Sequence, residues 1–130
     1  MTELDLIPIL CRRALEARLT PGHVRRLALR ARKALEDRRN ALEGLRRSWP
    51  RQGLTRQELE ALRRALCEGR REVDCLERSL HHLQRWSSGG GAGDLERALG
   101  AYESAFRSWK KHLRAALVVA PALSGRGTPG

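Results

Sequence analysis

Residues 24–49 read VRRLALRARKALEDRRNALEGLRRSW, and residues 55–86 read TRQELEALRRALCEGRREVDCLERSLHHLQRW. In the first stretch Val24, Ala28, Ala31, Leu35, Arg38, Leu42, Leu45 and Trp49 are spaced alternately by four and three. In the second, Leu59, Leu62, Leu66, Gly69, Val73, Leu76, Leu80 and Leu83 follow the same rule. That spacing keeps one stripe on one face of a helix, the seam of a coiled-coil pair. The short break between the stretches, PRQG at 50–53, requires the two helices to lie side by side and antiparallel. The registers expected are Leu45 facing Leu59, Leu42 facing Leu62, Leu35 facing Gly69 and Ala28 facing Leu76. Arg38 interrupts the apolar column, and Gly69 costs about 1 kcal/mol relative to Ala inside a helix.

No segment alternates with period two, so the chain reads as all-α. A short first helix is expected over 6–19, with Asp5 as its cap and Pro8 in its first turn. Thr20 followed by Pro21 reads as an N-cap and first helical residue, so the hairpin spans about 21–49 and 55–86. Thr55 and Glu58 fit a capping box. SSGGGAG, within 87–93, reads as a flexible Gly/Ser linker, after which Asp94 caps a fourth helix ending near Ala120. The expected organisation is one helical domain over 1–120, in which the first and fourth helices brace the hairpin, and a disordered tail over 121–130.

The chain of 130 residues carries 26 Lys plus Arg against 15 Asp plus Glu, a net charge of +11. Of the 26, 23 are Arg, but residues with AT-rich codons are scarce throughout, so the preference for Arg over Lys says little about chemistry. Where the charge sits says more. Residues 23–53 carry +7, against 0 for 1–22, +1 for 54–88 and +3 for 89–130.

Within the hairpin the positions just outside the seam are basic. The first helix of the pair has Arg25, Arg32, Arg39 and Arg46, and beside them Arg26, Lys33 and Arg47. The second has Arg56, Arg63 and Arg70, and beside them Arg64, Arg71, Arg78 and Arg85. Residues seven apart recur about every 10.5 Å along a helix, and antiparallel pairing sets the two ridges on one edge. The acids Glu36, Asp37, Glu43, Glu60, Glu68 and Asp74 fall on columns expected to face outward. The opposite edge, Leu27, Ala34 and Ala41 against Ala65, Ser79 and Trp86, is suited to packing the first or fourth helix, or a second copy of the chain.

Parallel basic ridges suit a rod-like polyanion held by its phosphates. Few Asn or Gln accompany the arginines, so base edges are not read, and too few aromatic residues are present for a single-strand platform. The expected function is sequence-independent binding of duplex nucleic acid, RNA over DNA, through Arg25, Arg26, Arg32, Lys33, Arg39, Arg46, Arg47, Arg56, Arg63, Arg64, Arg70 and Arg71, by a homodimer. A helical protein–protein adaptor is the alternative. A lesser one is membrane-surface association through the stripe Leu95, Leu99, Tyr102, Phe106, Trp109, Leu113 and Leu117, beside Arg107, Lys110, Lys111 and Arg114, although a calmodulin target or an ordinary core helix has the same pattern and core packing is the favoured reading of it.

Catalysis is not expected. No nucleophile has a recognisable base, no glycine loop is followed by the Lys and Ser or Thr of a phosphate cradle, and His82 with Cys75 is an incomplete ligand pair. No cofactor, metal or small-molecule substrate is expected. Cys11, Cys67 and Cys75 form no disulfide framework, which suits a reducing, cytoplasmic location with the nucleus left open. A short Arg-rich helical chain with dimerisation and duplex binding resembles, in architecture, the small double-stranded RNA-binding silencing suppressors of some RNA viruses. That resemblance implies RNA silencing suppression as the role.

Overall fold

A computed structural model describes residues 3–48 and 53–125, with the side chains of Ser48 and 122–125 left aside. A 3-10 turn, Glu3–Leu6, leads into α1 (Ile7–Leu15), which is followed by α2 (Pro21–Ser48), α3 (Arg56–Ser87) and α4 (Ala92–Gly125). No strand occurs among the described residues, so the all-α bundle is observed. Trp49 and the turn between α2 and α3 lie outside them. No helix among them is long and apolar enough to cross a membrane.

The helix starts follow local chemistry. Thr20 Oγ1 accepts from His23 N at 3.3 Å, and Pro21 opens α2. At α3 both halves of the capping box form: Glu58 N donates to Thr55 Oγ1 (3.2 Å) and Thr55 N to Glu58 Oε1 (2.9 Å). Two expected caps are displaced. Asp5 lies in the 3-10 turn, where its carboxylate accepts from Tyr102 Oη at 3.4 Å, and α1 begins after Leu6 with no side-chain cap. Asp94 sits inside the first turn of α4, which begins two residues earlier at Ala92.

The segment expected as a flexible linker is a four-residue turn, Ser88–Gly91. It is closed by Gly90 N donating to Arg85 O (2.9 Å) and Ser88 N to Gln84 O (3.1 Å). Gly89 has φ +106, and a Cβ on Gly90 would meet the Asp94 carboxylate and Arg85 O, so the glycines serve tight reversal. α4 also runs past its expected end, carrying Pro121 inside it to Gly125, while 126–130 lie outside the described residues.

α3 is the central helix. It packs most extensively against α4 and less so against α2, while α1 lies against α4 and α2 at one end of the bundle. The principal core joins Ile7 and Cys11 of α1, Val24, Ala28, Ala31 and Leu35 of α2, Val73, Leu76, Leu80 and Leu83 of α3, and Leu95 and Ala98 of α4. A smaller cluster around Leu62 and Val119 closes the other end. The edge that includes Ala65 and Ser79 is covered internally: Ser79 Oγ donates to Ala98 O at 2.6 Å, and His112 Nδ1 lies 2.6 Å from Ala65 O.

The α2–α3 register differs from the expected one by about a heptad. Leu42, not Leu35, abuts Gly69. Arg38 Nη2 reaches Glu72 Oε2 at 3.2 Å, and Arg39 Nη2 reaches Glu77 Oε2 at 2.7 Å. Sliding an antiparallel heptad pair by one repeat sets seam positions against seam positions again over most of its length, so the apolar pattern fixes the register only weakly. The polar partners favour the observed one. The expected register would set Arg38 against Leu66; the observed one gives it a carboxylate.

Candidate nucleic-acid interface

Most of the α2 ridge is engaged within the fold. Arg25 Nη2 donates to Ser87 O at 2.9 Å, and Arg32 Nη2 donates to Gln84 Oε1 at 3.2 Å. Arg39 bridges Glu36 (2.9 Å) and Glu77 (2.7 Å). Glu43 takes Arg46 at 2.6 Å and Arg47 at 3.3 Å. The hydrogen bond from Arg46, followed by the charges of Arg46 and Arg47, holds the Glu43 carboxyl below its ordinary range and raises Arg46 in turn. Among the described residues, Arg26 and Lys33 are the expected α2 contacts that are exposed without a hydrogen-bond or carboxylate partner.

The two α3 columns separate. In a helix that packs on both sides, the position just after the seam points toward α2, and the next one lies about 100° further round, toward α4. Arg70 accordingly lines a cleft with Arg39 and Arg46, but Glu43, Asp74 and Glu77 line the same cleft. Three cations there meet three carboxylates. Arg56 is 3.7 Å from Glu60, and Arg63 is exposed. The single unbalanced edge expected from the sequence is therefore corrected: slippage by a heptad interleaves acids with the arginines, and Glu36 and Glu43 turn back on their own helix.

A group of cations with no carboxylate partner among the described residues also lies on the other side of α3. Arg64 lines a groove of about 470 Å³ with Lys111 and Arg114 of α4, over Ala61, Ala115 and Val118. None of these three cations has a carboxylate within ion-pair distance among the described residues. The one carboxylate at the groove, Glu68, is buried rather than outward-facing, and its Oε1 pairs with Arg71 at 3.2 Å. Arg64 and Arg71 stand seven residues apart, about 10.5 Å along the helix. In the sequence Lys111 and Arg114 flank an apolar stripe. The α3–α4 packing sets them beside Arg64.

Comparison with known protein families, curated proteins and solved structures found no match to this chain. Function therefore rests on the groove itself. Among the described residues no group of three His, Cys, Asp or Glu could hold a metal ion.

Proposed function

We propose that the protein binds duplex nucleic acid, RNA in preference to DNA, through phosphate contacts on the α3–α4 face. The supporting observation is the convergence of Arg64, Lys111 and Arg114 on one groove with no carboxylate within ion-pair distance of the three among the described residues, beside Arg71, which Glu68 engages. Guanidinium and ammonium groups at helical spacing suit backbone oxygens, and neutralising phosphates releases counterions.

The groove lining contains neither Asn nor Gln to read base edges and no aromatic ring on which an unpaired base would stack. Those absences favour a sequence-indifferent duplex ligand, and A-form RNA is commonly recognised by shape and phosphates. The architectural resemblance to viral silencing suppressors rests on the same reading.

Titration with a short blunt duplex RNA over a salt series tests it. Engagement of three or four phosphates gives a log–log slope of about −3. No binding at about 50 mM salt, or binding that follows sequence, contradicts the proposal.

A further inference from the structure

The outer face of α4 carries a second feature. Phe106, Leu113 and Leu117 are 44, 39 and 70% exposed, and they project along one line of the helix, spaced by seven and four. The line is about 16 Å long. Lys110 stands immediately beside it, with Nζ 4.7 Å from the Phe106 ring centroid; Arg107 and Arg114 share the next column, and Lys111 lies further round. Arg107 donates to Ser104 Oγ, and none of the four has a carboxylate partner among the described residues.

From this geometry we infer that the outer face of α4 docks on an anionic lipid surface. The side chains stand proud of the helix: Leu117 is more than two-thirds exposed, and Val118 beside it is 46% exposed. A deformable headgroup layer accepts such a ridge, whereas a nucleic-acid phosphate backbone gives leucine and phenylalanine nothing to bury against. Charge decides against a second copy of the chain. Two ridges packed together bring the four cations of one against those of the other with only the exposed Glu103 of each chain to offset them, while anionic headgroups neutralise them. The cationic stems are long enough to keep their heads among the phosphates as the apolar residues sink.

The apolar line of Phe106, Leu113 and Leu117 lies outside the Arg64 groove, whereas Lys111 and Arg114 are shared with it, so the test varies the apolar line. The test is co-sedimentation of the full chain with vesicles of mixed phosphatidylcholine and phosphatidylserine, and with phosphatidylcholine alone. Leu117→Gln, which keeps the charge and replaces an exposed residue, serves as the variant. The chain partitions onto the mixed vesicles and not onto the neutral ones, and Leu117→Gln lowers that partition about tenfold with helix content and duplex-RNA affinity unchanged. Lys110→Gln gives a smaller loss that added salt erases. Absence of binding to the mixed vesicles, or binding that Leu117→Gln leaves intact, overturns the inference. So does a wild-type dimer that this variant converts to monomer.

Discussion

Gly69 of α3 lies directly beneath His112 of α4: a Cβ built on the glycine would stand 3.1 Å from Nδ1 of the ring and 2.8 Å from Cδ1 of Leu42. The same ring nitrogen is 2.6 Å from Ala65 O. The seam glycine thus admits a histidine from one neighbour and a leucine from the other. In an isolated helix Gly69→Ala would stabilise by about 1 kcal/mol. Here crowding outweighs propensity, and we expect the variant to lose about 1–2 kcal/mol in urea unfolding. A gain in stability would show that the three helices do not meet there.

Glu72 gives the fold a pH dependence. Burial raises its carboxyl to about 7, an effect that Arg38 opposes and Asp5 adds to. The folded state therefore holds this proton at pH values where the unfolded chain has released it. Stability from this group is fully present below about 4.5 and is lost as pH rises through 7. Glu72→Gln should remove that decline. Unfolding free energies measured at pH 5 and at pH 8 should converge in the variant and differ by on the order of 2 kcal/mol in the wild type.

The cysteines should react unequally with a thiol reagent because they differ in exposure. Cys11 is buried in the core, and desolvation pushes its thiol up to about 12; Cys75 is buried and Cys67 exposed. A disulfide reagent at neutral pH should consume one thiol at once and the other two only on unfolding. Mass mapping of the labelled peptide should find Cys67.

Ala17, between α1 and α2, has φ +57, a left-handed conformation that costs an L residue about 1 kcal/mol. Ala17→Gly relieves it, and part of the gain is offset by the freer unfolded chain. An increase in stability of about 0.5 kcal/mol is expected by thermal unfolding.

Helix starts were legible because they are local: Thr20–Pro21 and the Thr55–Glu58 box carry their own hydrogen-bonding instructions. The seam of α2 and α3 was legible as a pattern but not as a register, since a slip by one heptad again sets seam residues against seam residues, Leu42 against Gly69 in place of Leu62. That degeneracy carried over to the site. Once α2 is displaced by a heptad, Arg39 meets Glu77 and Arg32 meets Gln84, and the ridge that looked unopposed in the sequence is largely satisfied. Arg64 and Arg71 were found for their rhythm, yet the side of α3 they occupy depends on where α4 packs. Lys111 and Arg114 could be joined to them only in three dimensions.

The contrast between the two faces is the most direct measurement. Duplex RNA affinity is measured over a salt series for wild type, for Arg64→Ala with Arg114→Ala, and for Arg32→Ala with Arg39→Ala. Removing two phosphate contacts should flatten the slope by about two in the first pair of substitutions and leave it unchanged in the second, whose arginines are held by Gln84, Glu36 and Glu77. A slope that flattens with Arg32 and Arg39 and not with Arg64 and Arg114 would contradict the account and return the interface to the α2 edge.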